Sequence, residues 1–374
     1  MATVSMDTRR PAPAGDGLAA GTRASKVVYV WAWIGAGLIG IGLWSMGRWA
    51  LSGPEAITRF RDPGSAGWWW ARIFEVSFFV ISMTVAFFII RQCVRQRRFT
   101  TDAMICLGIF SIWWQDPLYN YLRPGFFYNS NLINLESWIT WIPFQQAPYA
   151  NLQPEPVLWG FSIYFSVMFV QVLLMCWIMR QVARRWTAVR GWQMFLLVSA
   201  LGFVMDAGLE LPMLWTRTYN YPSGWHHLAI FGGRPYQLPL VHLAAGAMFF
   251  AAVAALRYYR DDKGRTVVER GADSIRNPKW RTTARFLAVA GFIQVVSLAY
   301  CPIVLTQIAT TDPIPKGYEP WQLNGWCGDQ GQPYGPCPAP GVSWKVRGDR
   351  SQHPHPSEIY KEFPYFSTPA GGGK

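Results

Sequence analysis

Apolar positions along this chain gather into seven long runs, near 27–51, 68–90, 101–121, 156–179, 191–215, 236–257 and 284–309. Each holds about 20 residues or more, the length a helix needs to cross a hydrocarbon core of about 30 Å. The polar positions between them alternate in kind. Arg91, Arg95, Arg97 and Arg98 follow the second run, and Arg180, Arg184, Arg185 and Arg190 follow the fourth. The sixth is followed by Arg257, Arg260, Lys263, Arg265, Arg270, Arg276, Lys279 and Arg281. The segments after the third and fifth runs are instead aromatic and rich in Pro and Asn. Basic loops stay in the cytoplasm. The pattern therefore predicts an all-α, polytopic membrane helical bundle of about seven transmembrane helices, multi-pass in the cell membrane, N-terminus inside and C-terminus outside.

The ends and the first run complete this outline. Residues 1–25, rich in Ala, Gly, Thr, Arg and Pro, read as a disordered cytoplasmic tail. Residues 26–310 form the transmembrane domain, with ordered external loops, and 311–374 a polar, Pro-rich external tail. Ala50-Leu51-Ser52 resembles a signal-cleavage site, but the run before it is too long for a usual signal peptide, so an uncleaved helix is expected. Gly35, Gly37, Gly40 and Gly42 in that run point to close helix packing.

Composition agrees with a bilayer as the solvent. Hydrophobic residues make up 51% and charged residues 15% of the chain, the balance of an integral membrane protein and not of a soluble domain. The net charge of +13 is carried by short loops between apolar runs, so it does not imply a nucleic-acid partner. Cys93, Cys106, Cys176 and Cys301 lie in or beside apolar runs and read as small hydrophobes. Cys327 and Cys337 flank a Gly- and Pro-rich loop in the tail, where an oxidising exterior favours a disulfide between them. No phosphate-binding loop and no dinucleotide fingerprint occurs, which argues against a nucleotide-driven pump.

Acids inside apolar runs carry the candidate chemistry, because a charged side chain there is costly. The third run ends in Trp113-Trp114-Gln115-Asp116-Pro117-Leu118-Tyr119-Asn120-Tyr121, and the fifth contains Met205-Asp206-Ala207-Gly208-Leu209-Glu210-Leu211-Pro212. With the orientation above, Asp116, Asn120, Asp206 and Glu210 share one level on the outer side with Glu75 of the second run and His242 of the sixth. A spacing of four puts Asp206 and Glu210 on one helix face, and likewise Asp116 and Asn120. Two acids on one buried face repel unless one is protonated or both meet cations, so a raised pKa is expected for at least one. Pro117 and Pro212 interrupt the backbone ladder beside these groups, which helps a bundle open a pocket.

The expectation is that both segments face one pocket for an apolar small molecule. Asp206, Glu210 and Asp116 are the catalytic candidates, with Asn120, Glu75, Glu136, His242, Trp114 and Tyr119 as substrate-binding candidates. His226 and His227, in a loop, are weaker ones. Plainer readings stand beside these. Asp116 and Asn120 also suit an interfacial polar knot, Glu75 an ion pair with Arg72, and His242 a satisfied core histidine. The acids are spread over several runs without HxxxH or ExxH spacing, so neither a metal nor another cofactor is expected.

With those two segments in view, the chain resembles the AveC-like spirocyclase family of actinobacteria, over roughly 26–310. The resemblance rests on the seven runs, WWQDPLYNY ending the third, MDAGLELP in the fifth and the aromatic external loops. It implies closure of a dihydroxyketone chain into a spiroketal in polyketide secondary metabolism, with dehydration in some members and no redox cofactor. Two other readings suit the same pocket: a non-catalytic carrier of a lipid, sterol or polyketide, and a membrane terpenoid or carotenoid cyclase.

Overall fold

The computed structural model describes residues 26–58, 60–121, 125–143 and 153–324. The expected Cys327–Cys337 disulfide and the N-terminal tail lie outside the described residues. The long helices are α1 (Val27–Leu51), α2 (Ala66–Gln96), α4 (Val157–Arg185), α5 (Gly191–Trp215), α6 (Leu240–Tyr258) and α7 (Pro278–Ala309), all six long and apolar enough to cross a membrane. Between α2 and α4 stands α3 (Thr101–Phe110), a short helix.

The third run departs from the expected continuous helix. After Phe110 the chain passes into a 3₁₀ segment, Trp113–Asn120. Pro117 has no N–H to give and its ring crowds the preceding turn, so an α-helix cannot run through it undisturbed. Irregular backbone at membrane depth is tolerated only where protein covers it. Here Trp113, Trp114, Gln115, Asp116, Pro117 and Asn120 are all buried. Two further irregularities matter below. A π-helical turn, Ile163–Val167, interrupts α4. Tyr300 separates α7 into Pro278–Ala299 and Cys301–Ala309, just ahead of Pro302.

Packing follows small residues. α1 lies along α7, where a Cβ on Gly35 would sit 2.0 Å from Leu287 O and one on Gly291 2.4 Å from Trp31 O. The two backbones therefore touch, as small residues allow in membranes. Gly42 faces the Trp114 ring equally closely, whereas Gly37 and Gly40 meet nothing within 4 Å. The main core cluster joins α1, α3, α4, α5, α6 and α7 through residues such as Met104, Ile109, Val172, Met175, Phe249 and Ile293. Wide apolar faces remain exposed, including Val76, Val80, Phe87 and Phe88 on α2 and Val204 on α5, as a lipid solvent requires.

One end of the bundle carries an ordered cap. β1 (Phe127–Tyr128) pairs antiparallel with β4 (Tyr219–Asn220), and β2 (Asn134–Glu136) with β3 (Pro154–Pro156). Residues 311–324 strap across it: Ser130 N donates to Trp321 O, and Asn220 Nδ2 to Gln322 O. Glu75 binds this cap to α2. Its Oε1 accepts from Ile133 N at 2.8 Å and its Oε2 pairs with Arg72 at 2.8 Å.

Candidate functional site

Beneath the cap lies a cavity of about 140 Å³, walled by α4, α5, α6, the 3₁₀ segment and the paired strands. Asp116, Asp206 and Glu210 all line it, as do Tyr119 and His242. Among the described residues on its wall there is no Lys or Arg. Carboxyl groups without a counter-cation in such a place depend on hydroxyl and amide donors, or on shared protons, to be stable.

Asp116 is held from three directions. Tyr128 of β1 donates its hydroxyl to Oδ2 at 2.9 Å, and Tyr164 to Oδ1 at 2.5 Å. Tyr164 stands in the π-helical turn of α4, which re-aims one residue of an otherwise regular helix. The third neighbour is Glu155 of β3, whose Oε1 accepts from Ser137 Oγ at 2.8 Å. Its Oε2 is buried without a hydrogen-bond partner, beside Asp116. Burial first, and then the Asp116 charge, push Glu155 well above the usual carboxylate range. Burial and the neighbouring Asp116 charge thus favour the protonated form of Glu155.

Across the cavity, Asp206 and Glu210 project from one face of α5. Tyr221 donates to Glu210 Oε2 at 2.9 Å, with Tyr219 beside it. His242 Nε2 lies 4.0 Å from Glu210 Oε1, and its ring packs on Tyr221 at 4.7 Å and on Tyr119 at 5.4 Å. The β1–β4 register sets these donors: Tyr128 stands opposite Tyr219, so both hang from one face of the ribbon. Tyr221 follows two residues on, and the Phe126 ring fills the space among the three phenols.

Asp206 is less encumbered. Its neighbour is Gln171 of α4, whose amide does not meet it in hydrogen-bonding geometry; both Gln171 polar atoms are buried without a partner. On the opposite side it packs closely against Gly246 of α6, where a Cβ would lie 2.5 Å from Asp206 Oδ2. Tyr119 and Tyr300 share a short hydroxyl–hydroxyl contact that closes the wall, with the phenol of Tyr300 placed by the break in α7.

Other sequence candidates lie elsewhere. Asn120 does not line the cavity; its Oδ1 accepts from Gly125 N and Phe126 N and shapes the loop. Trp114 donates to Gln294 Oε1 within the α1–α7 packing. Glu136 belongs to β2, where its carbonyl accepts from Trp49 Nε1. Glu75 is the cap anchor already described. His226 and His227 stay in the loop before β5 (Ala229–Ile230), off the cavity wall. Among the described residues no three His, Cys, Asp or Glu side chains converge as metal ligands do.

The residues missed by spacing arguments are Glu155, Gln171 and the tyrosines 128, 164, 219, 221 and 300. A repeated Tyr-Asn-Tyr, at 119–121 and 219–221, was the available signal for part of this set. In comparisons with known proteins, no curated protein and no solved structure matches the chain. A family model, described as spirocyclase AveC-like, matches residues 96–323. That span includes every residue of the cavity wall.

Proposed function

The chain belongs to the AveC-like spirocyclase family, and from that premise we propose that it is a membrane cyclase closing an apolar dihydroxyketone into a spiroketal by acid/base catalysis. The observation that carries this reading is the meeting of carboxyl groups from two separate segments across one aromatic cavity that holds no Lys or Arg among the described residues. In the reaction, one hydroxyl adds to the ketone carbon and gives a hemiketal. The hemiketal oxygen is protonated and leaves as water, forming an oxocarbenium ion. The second hydroxyl then adds to that carbon and releases its proton. One water is lost, and no electrons change hands.

Each step has a group to serve it. The protonated member of the Asp206/Glu210 pair donates to the departing oxygen, and the carboxylate member takes the proton of the attacking hydroxyl. Asp116, to which Tyr128 and Tyr164 donate, faces the cationic carbon, and its ionised form stabilises it. The free amide of Gln171 takes a substrate oxygen. Enclosure between helices holds the folded chain with its hydroxyls near the carbonyl carbon.

The test is mass spectrometry of lipid extracts from cells with the intact chain, without it, and with Asp206→Asn at matched expression. The expected result is a metabolite one water heavier than its product, accumulating in both the deletion and the variant. If only the distribution of an unaltered lipid shifts, the chain is a carrier and Asp206 a binding residue.

A further inference from the structure

At the opposite end of the bundle is a second cavity, of about 300 Å³, between the end of α2, the start of α3, the end of α6 and the start of α7. Its walls bring together Arg98, Arg260, Lys263, Arg265, Arg281 and Arg285. Part of this charge is matched within the protein. Arg285 meets Glu269 at 2.6 Å, Arg265 meets Asp261 at 3.1 Å, and Lys263 meets Asp273 at 2.9 Å. Asp102, also on the wall, is neutralised by a two-pronged contact from Arg257 at 3.0 Å. Arg98, Arg260 and Arg281 remain: among the described residues none of them has a carboxylate within ion-pair distance. Arg98 reaches only Gln96 Oε1, and Arg281 a backbone carbonyl, Ile275 O.

A bias of basic residues toward one side of a membrane does not require them to converge on a walled cavity. Nor does it explain what adjoins this one. At Gln92 and Asp102 the cavity meets an apolar groove of about 590 Å³ between α2 and α4. Val80, Ile81, Phe88, Phe169, Val170 and Leu173 form it. From Gln92 back to Val80 it follows α2 for about 18 Å toward the middle of the bundle. Val80, Phe88 and Val170 are exposed on the surface that faces lipid.

We propose that cavity and groove together bind one anionic phospholipid. Arg98, Arg260 and Arg281 hold its phosphate, and an acyl chain lies in the α2–α4 groove. A guanidinium presents paired donors that match phosphate oxygens, and basic pockets between spans at the membrane surface suit such headgroups. A free phosphate would use the cavity alone, and a neutral lipid the groove alone. Only an amphipathic anion uses both surfaces and the passage between them.

The experiment takes the full chain in neutral detergent, stripped of lipid, and offers phosphatidylglycerol, phosphatidylcholine or inorganic phosphate. Bound lipid is counted by native mass spectrometry and the thermal midpoint is followed in parallel. Phosphatidylglycerol is expected to bind one per chain and raise the midpoint, at least tenfold more tightly than the other two. Arg98→Gln and Arg260→Gln should each weaken it about fivefold, the effect of one cation near a charged headgroup. Val170→Trp should weaken it with the arginines intact. These side chains are exposed or lie on the groove wall, and the lipid-free midpoint confirms that each variant folds. The proposal is overturned if inorganic phosphate protects as well as phosphatidylglycerol, if phosphatidylcholine binds equally, or if the arginine variants bind unchanged.

Discussion

The two acidic walls of the cavity are built differently. On one, Asp116 lines the cavity with Glu155, from a distant part of the chain, behind it, and Tyr128, Tyr164 and Ser137 supply three hydroxyl donors to them. On the other, Asp206 and Glu210 stand on a single helix, and only Glu210 receives phenol donors. Asp206 is bounded by an unpartnered amide and by Gly246, whose missing side chain lets the carboxylate pack against the α6 backbone. A carboxylate with its lone pairs filled is fixed in position and in charge. One with unfilled capacity can exchange a proton with a ligand. In the proposed mechanism, the Asp116 wall serves as a fixed electrostatic surface and the Asp206 wall as the chemical one.

The largest expected effect separates the walls at once. Asp206→Asn should lower turnover by about 10²–10⁴-fold, the usual contribution of a general acid or base, with little change in thermal midpoint. Asp116→Asn should be costly to the fold as well, because it sets an amide N–H₂ against tyrosine hydroxyls that now donate to a carboxylate. Product analysis and thermal midpoints on the two variants together decide the comparison. If Asp116→Asn keeps its stability and loses turnover while Asp206→Asn stays active, the roles are reversed.

Gly246→Ala asks whether the position of Asp206 matters, with its charge left alone. The new Cβ would fall 2.5 Å from Oδ2, the far end of a flexible side chain, so the carboxylate swings aside and the helix stays in place. A displacement of this kind should cost on the order of 10²-fold in turnover. Gly208→Ala on α5 is the control: a Cβ there meets nothing within 4 Å, and its turnover should match the parent chain.

How much of this was legible depends on which periodicity the chain obeyed. Six runs read correctly as long helices because roughly 20 apolar residues leave few other options. The third did not, and the same segment changes which of its residues share a face. Spacing of four pairs Asp116 with Asn120 in an α-helix. In the 3₁₀ turn that forms, three residues complete the circle, so Asp116 and Tyr119 share the cavity side and Asn120 turns into the loop. On α5, which is regular, the spacing of Asp206 and Glu210 carried over directly. Glu155 gave no periodic signal: it lies between Pro154 and Pro156 and is positioned by its pairing with Leu135. Gln171 was visible as a single amide within an apolar run, the same kind of anomaly as the acids.

A pH series tests the shared proton of the Asp116 wall, with a smaller effect. Glu155 has its folded-state value raised well above its ordinary 4.5. The folded chain thus binds the proton more tightly than the unfolded chain. The resulting stability is fully present below about 4.5 and is lost as pH rises through the raised value. Thermal midpoints measured from pH 5 upward should fall for the parent chain, and Glu155→Gln should flatten that decline. A variant that declines as steeply as the parent would place the proton elsewhere.

The smallest effects come from single phenols, and they divide the walls most finely. Tyr128→Phe removes one of two hydroxyl donors on Asp116, while Tyr164 and Glu155 remain. The loss should appear as stability, about 1.5–3 kcal/mol for a hydrogen bond to a charged group, with turnover nearly unchanged. Tyr221→Phe removes the hydroxyl from Glu210, where Tyr219 and His242 remain close. That change alters which member of the Asp206/Glu210 pair holds the proton. It should therefore shift the pH profile of turnover and lower its maximum less than tenfold, with the thermal midpoint nearly constant. A fixed wall and a reacting wall predict these opposite responses to the same chemical deletion. Equal losses of stability and of turnover in both variants would mean that the two carboxyl pairs do one job.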